Sequence, residues 1–338
     1  MLKYGRVMIC IGVAAMLTVT APAALAQYEE ENHDHGEVLF DTTTGRVIMP
    51  SAGDFVDGAG DDDTGEGGDK AAGGVGVNGY VDVNEDMKAG VLTPFYRFSR
   101  AFAVKAHVPL IWDRTLRYFG DTTASTSGLG DVIVDADYTR HLSTPGTFLR
   151  FTGSVKLATG DEEKTVDDSD GFERNVPLGT GTTDYIVKGQ YVKSTPDHGL
   201  IFGALYRKNS PYETSQDNGA NVITTKSTTG NQVAAVAFGR KRASEKFWVH
   251  MGVSVVKLGK GKVEVSNSDG SAGSESDLEH GGTLIDIFPG VSYALGPLSP
   301  YLGVRIPLGT SFDDEFRFDE RNTSIIFQFS YSPDSLAR

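Results

Sequence analysis

The chain has 338 residues, a net charge of −14 at pH 7, 39% hydrophobic residues and 41 glycines. This acidity, with no basic stripe interleaved with aromatics, excludes a nucleic-acid-binding protein. A single cysteine, Cys10, excludes a disulfide framework.

At the N-terminus Lys3 and Arg6 precede an apolar run from Val7 to about Val19, and Ala24-Leu25-Ala26 supplies small residues before Gln27. Residues 1–26 therefore read as a cleaved signal peptide, which implies export and takes Cys10 with it. Ile9 before Cys10 is not the small residue a lipidation site needs. Residues 27–73 form a separate acidic, Gly/Asp-rich extension, with thirteen acids against Arg46 and Lys70, net −11. Its composition reads as a disordered, solvated tail. Two other readings are a plug drawn to basic groups inside a pore, and cation capture by Asp61-Asp62-Asp63 or His33-Asp34-His35. Neither cluster has EF-hand or zinc spacing, and no metal or other cofactor is expected.

From Gly74 to Tyr331 about twelve short alternating segments follow one another, with gaps that are by turns short and long. The short gaps are 99–100, 143–146, 194–199, 243–245 and 296–299; the long, polar ones are 113–127, 159–181, 209–229, 259–282 and 309–321. Beyond residue 26 no apolar run is long enough for a membrane-crossing helix. Tight turns at one end and long loops at the other suit an antiparallel up-and-down transmembrane β-barrel. The runner-up is a secreted soluble β fold.

Individual strands separate these readings, because a barrel is apolar outward and tolerates charge inward. In 102–110, Phe102, Val104, Ala106 and Val108 oppose Lys105 and His107. In 131–138, Val132, Val134, Ala136 and Tyr138 oppose Asp131, Asp135 and Asp137. In 148–157, Leu149, Phe151, Val155 and Leu157 oppose Arg150 and Lys156. In 184–191, Tyr185, Val187 and Tyr191 oppose Asp184 and Lys188. Later strands set Arg240, Arg242, His250, Asp286 and Arg305 against apolar neighbours. These thirteen charged or titratable residues, Lys105, His107, Asp135, Asp137, Arg150, Lys156, Asp184, Lys188, Arg240, Arg242, His250, Asp286 and Arg305, are the candidate lumen lining. They are expected either to pair across the lumen and hold the wall or to contact a solute. Only 200–207 gives no clear alternation. Tyr80, Phe95, Trp112, Phe148, Tyr185, Tyr191, Trp248, Tyr293, Tyr301 and Tyr331 fall near strand ends and are expected at headgroup level. The four residues 84–87 are short for an outer loop, so ten or fourteen strands remain open beside twelve.

Four segments resemble an outer-membrane family named for the MetA pathway of phenol degradation. They are Gly128-Leu129-Gly130-Asp131, Val155-Lys156-Leu157-Ala158-Thr159-Gly160-Asp161, Leu178-Gly179-Thr180-Gly181-Thr182-Thr183-Asp184 and Pro289-Gly290-Val291-Ser292-Tyr293. The resemblance spans residues 75–331 and departs from the family at Ala158, where Pro is usual. It implies a Gram-negative outer-membrane barrel that transports small aromatic or other hydrophobic molecules, with no catalytic residues to carry over.

The expected organisation is a signal peptide at 1–26, the extension at 27–73, the barrel at 74–331 and a tail at 332–338. Expected partners are outer-membrane lipid and lipopolysaccharide, a small-molecule solute, and the barrel assembly machinery, for which Phe327, Phe329 and Tyr331 present aromatics two apart. Seven acids between Asp161 and Glu173 would keep one outer loop solvated or bridge divalent cations to lipopolysaccharide. An enzyme is not expected. The alternative function is a structural or lipid-hydrolysing barrel, because His141 and Ser143 share a turn and His250 and Ser254 share a face, though neither pair has an evident third member.

Overall fold

The computed structural model describes residues 74–331 apart from 84–86, 100, 119–121, 162–163, 218–221, 229, 268–273, 279–280, 296–297 and 313–322. The extension, the signal segment and the C-terminal tail lie outside the described residues, and with them the two candidate metal clusters.

Twelve antiparallel wall strands close into a barrel. In chain order they begin with β1 (Gly74–Val83), β2 (Met87–Arg97) and β3 (Phe102–Tyr118). A single wall strand follows in two pieces, β4 (Thr122–Leu129) and β5 (Val132–His141), broken at Gly130-Asp131. After β6 (Thr147–Leu157) a small hairpin of β7 (Thr165–Asp167) and β8 (Glu173–Asn175) intervenes before β9 (Asp184–Ser194) and β10 (His198–Lys208). The chain then makes β11 (Tyr212–Asp217) and β12 (Val222–Thr228) outside the wall, and returns through β13 (Gln232–Arg242) and β14 (Phe247–Leu258). Outside the wall again come β15 (Gly261–Asn267) and β16 (Ser274–Leu278). The last wall strands are β17 (Gly282–Ile287) continued by β18 (Gly290–Tyr293), then β19 (Leu298–Phe312) and β20 (Ser324–Tyr331). β1 pairs with β20 from Val77↔Tyr331 to Val83↔Ile325, which removes both sheet edges.

The alternation expected from sequence is present, because one face of each strand is exposed and apolar and the other is buried and largely polar. Tyr138, Phe151, Tyr185, Val187, Phe202 and Met251 are 51–63% exposed. Asp135, Asp137, Arg150, Lys156 and Asp184, on the opposite face of neighbouring strands, are at most 3% exposed. In a closed barrel the buried face is the lumen, so this protein is inside out relative to a soluble sandwich. β10 resisted a sequence reading because both its faces are greasy: Leu200, Phe202 and Tyr206 point outward, while Ile201 and Leu205 are buried inward beside Arg207.

Two expectations are corrected. Much of the polar sequence taken as loop is strand. β3 and β4 continue their hairpin to Tyr118↔Thr122. β11, β12, β15 and β16 form a separate four-stranded sheet joining two outer connections. These strands are largely polar; β15 alternates only over Lys262 to Ser266, with Val263 and Val265 half-buried between exposed Lys262, Glu264 and Ser266, too briefly to stand out in a polar stretch. β-branched runs such as Val222-Ile223-Thr224-Thr225 supply the strand propensity instead. The aromatic girdle is also smaller than expected. Trp112, Tyr185, Tyr191 and Tyr293 are exposed, but Phe148 and Tyr301 are buried on the inward face. Phe95 and Trp248 also lie on that face, in register with the buried Thr93 and His250. A ring near a strand end serves either face, and only position parity within the strand decides which.

Close packing of the closing pair explains one glycine. Gly79 faces outward directly opposite Phe329. The Phe329 ring occupies the space a Cβ at Gly79 would need, so the aromatic covers bare backbone at the seam of the barrel.

Candidate functional site

The lumen is lined by an ionic network built from β3, β5, β6, β9 and β10. Thr152 and Ser154 on β6 are short, and across them Lys188 of β9 reaches Asp135 of β5 at 2.7 Å. The same carboxylate lies 3.0 Å from His107 Nε2, whose Nδ1 is 2.9 Å from Thr93 Oγ1. Asp137 pairs with Lys105 at 2.7 Å and accepts a hydrogen bond from Thr152 at 2.6 Å. Nearer the long-loop mouth, Lys156 and Asp184 face each other in register and pair at 2.7 Å. Asp184 also binds Arg207 at 2.7 Å and accepts from the Ser210 amide at 2.9 Å. Across β20, Arg305 is 3.6 Å from Asp82.

The remaining sequence candidates sit apart from this network. Arg240 donates to Ser194 Oγ at 3.2 Å and lies 4.3 Å from the Trp248 ring, and Arg150 lies 5.4 Å from the Phe148 ring. His250 Nε2 is 2.7 Å from Ser292 Oγ, and its ring packs edge-on to Tyr301. Asp286 is buried on β17. Arg242 is the one candidate drawn out of the lumen: its guanidinium donates to the carbonyls of Ser244 and Glu245 in the short turn. The His141 ring lies 5.8 Å from the Phe148 ring at a tilt of 51°. Around these groups Phe148, Val192, Ile201, Phe238, Phe288, Tyr301 and Ile326 form one buried apolar cluster.

A second arrangement closes part of the long-loop mouth, and sequence reading missed its purpose. Asp131, fully buried between β4 and β5, accepts from the amides of Thr159 at 3.1 Å, Gly160 at 2.9 Å and Thr180 at 2.9 Å. It also accepts from Thr180 Oγ1 at 2.9 Å and lies 3.3 Å from Lys156 Nζ. Both ends of the long connection between β6 and β9 are thus tied to one carboxylate. The backbones of Gly160 and Gly179 approach so closely that a Cβ on either would meet the other's backbone at 2.6 to 2.9 Å. Beyond them Leu178 packs on Ala89 of β2 and Ile111 of β3, and Arg114 donates to the Pro177 carbonyl. Three glycine-rich segments far apart in sequence, 128–131, 155–161 and 178–184, therefore meet at a single point.

Among the described residues the inward face carries nine Arg or Lys side chains: Arg97, Lys105, Arg114, Arg150, Lys156, Lys188, Arg207, Arg240 and Arg305. Against them stand six aspartates: Asp82, Asp131, Asp135, Asp137, Asp184 and Asp286. Asp82, Arg97, Arg114, Asp131 and Arg207 were not among the sequence candidates. Arg207 was hidden by the apolar inward face of its strand, and Arg114 by its place in a stretch read as loop.

A crystal structure of an outer membrane channel from Pseudomonas putida F1 superposes with a TM-score of 0.52 at 12% identity, covering 80% of this chain and 100% of that one. The fold is that of an outer-membrane β-barrel. Weaker likenesses include the NanC porin, with a TM-score of 0.41 at 11% identity over 76% of this chain and 98% of that one. The outer membrane protease OmpT of Escherichia coli gives 0.31 at 11% identity over 80% and 99%. No family model matches the chain, and no curated protein matches it.

Proposed function

We propose that this barrel is an outer-membrane channel of a Gram-negative bacterium for the passive passage of small molecules, hydrophobic or aromatic ones among them. The observation that carries the reading is the inverted wall: an apolar exterior fit for lipid around an interior of charged and hydroxyl side chains. The resemblance to the phenol-degradation family points the same way, as does the likeness in fold to the Pseudomonas channel. Lipid and lipopolysaccharide surround the wall in this reading, and the assembly machinery takes hold of β20 with its alternating aromatics.

A lipid-hydrolysing barrel is less well supported. Its Ser and His belong at the lipid-facing edge, whereas His250 and Ser292 meet on the buried inward face, and His250 Nδ1 has no hydrogen-bond partner among the described residues. The reading is tested by inserting the protein, made without residues 1–26, into a planar lipid bilayer and recording current. Discrete conductance steps are expected. A folded, inserted protein that passes neither ions nor small uncharged solutes would overturn the channel reading and leave a structural barrel.

A further inference from the structure

We propose that residues 176–182 form the constriction at the long-loop mouth, an inference that rests on the channel reading, and that Leu178 sets the size of solute admitted. β6 and β9 pair directly, so their connection has no need to enter the lumen. It does so nonetheless. Leu178 is 3% exposed and packs on Ala89 of β2 and Ile111 of β3, and its Cδ1 occupies the space that a Cβ on Gly128 of β4 would need. Ala89 is in register with Ile111, and Ile111 with Gly128. Three neighbouring strands thus present one row of inward positions as a socket for a single side chain.

Reaching that socket takes the segment across the inside of the wall. In the sheet β5 and β3 separate β6 from β2. Three inter-strand steps of about 4.8 Å make a span of roughly 14 Å. Arg114 donates to the Pro177 carbonyl at the socket, and Asp131 accepts from the amide and hydroxyl of Thr180 on the way back. The segment is therefore pinned to strands that it does not connect, and it takes room from the pore along four of the twelve wall strands. Where it rejoins β9 it is polar: Thr180 Oγ1 and Thr182 Oγ1 lie 3.1 Å apart, and Lys156 donates to Thr182 at 3.4 Å. A barrel of about sixteen strands keeps a broad water channel whatever lies on its wall, but one of twelve has less to spare. In so narrow a lumen a pinned segment decides what fits, because pore diameter is the first determinant of passage.

Pro177 gives a handle on this segment, since it stands between the buried Val176 and Leu178 and is itself only half-buried. Made without residues 1–26, the chain has no cysteine, so P177C carries a single thiol. The variant is inserted into a planar bilayer and treated with either a small methanethiosulfonate or a bulky aromatic maleimide. Current should fall on labelling, by about twofold or more with the bulky reagent. K193C, on the exposed face of β9, should be labelled without effect on current. In liposome swelling, L178A should raise the flux of raffinose relative to arabinose by about threefold or more, because the segment loses its socket. Full labelling of P177C with no change in current, or an unchanged flux ratio in folded L178A, would overturn the constriction and leave the channel standing. Should P177C fail to fold, L178A decides alone. A parent chain that passes neither ions nor sugars would overturn the channel reading itself, and the constriction with it.

Discussion

At the residue scale, the group that ties both ends of the β6–β9 connection is Asp131. Three amides, one hydroxyl and one ammonium converge on its two oxygens, and its side chain is 0% exposed. A carboxylate so placed answers the donors that two glycine-rich turns leave unpaired, as backbone groups removed from water require. Asp131→Asn keeps the shape but puts an amide NH₂ where one oxygen accepted, and leaves Lys156 with Asp184 as its remaining carboxylate. Breaking a buried ionic contact of this kind costs about 3–5 kcal/mol. The expected outcome is loss of hydrogen-exchange protection at the Gly160 and Thr180 amides before the wall strands are affected. Protection unchanged from the parent would show that Leu178 packing alone holds the connection. The motif around Asp131 was visible in the sequence, but its task was not, because its partners lie 25 to 49 residues away.

At the element scale, the β7–β8 hairpin is held by side chains rather than by length, for each strand has only three residues. Asp168 Oδ1 accepts from the amides of Asp170 and Phe172, both at 2.9 Å, and Oδ2 accepts from Arg174 Nε at 2.8 Å. The hydrogen bond from Arg174 leads the effects that hold the Asp168 carboxyl below its ordinary value of 3.8. A carboxyl whose value is depressed on folding contributes stability that is fully present above the ordinary value. That stability is lost as the pH falls through the depressed one. The hairpin should therefore keep its amide protection at pH 5 and lose it as the pH falls through that depressed value, and Asp168→Asn should be loosened throughout with no pH step. A parent hairpin indifferent to acid would refute the assignment. The acids of this loop were legible from sequence only as a solvated run, since a turn closed by one member of the run has no period to reveal it. The four-stranded outer sheet was missed for a related reason: its strands are largely polar, and the one short alternation, Val263 and Val265 between Lys262, Glu264 and Ser266, lies inside a stretch read as loop.

At the scale of the whole molecule, the wall was legible because lipid imposes the strictest pattern a strand can have. Each lipid-facing position must be apolar, each inward position is free to be charged, and the period is two. That is why β3, β5, β6 and β9 read correctly from Phe102 to Tyr191, and why β10, apolar on both faces, did not. The pattern also yields a test that separates a bilayer-spanning wall from a soluble one. Val187 lies between the exposed Tyr185 and the Tyr191 of the same strand and is 63% exposed. In a soluble protein, replacing a side chain that open to water changes stability by less than about 0.5 kcal/mol. Near the midplane of a bilayer, an arginine on the lipid face of a barrel costs roughly 2–4 kcal/mol. Val187→Arg should accordingly lower the unfolding free energy in lipid vesicles by an amount in that range. Val166→Arg on β7, outside the wall, should have little effect. A near-zero cost for Val187→Arg in vesicles would mean that this face does not meet hydrocarbon, and the location in the outer membrane would fall with it.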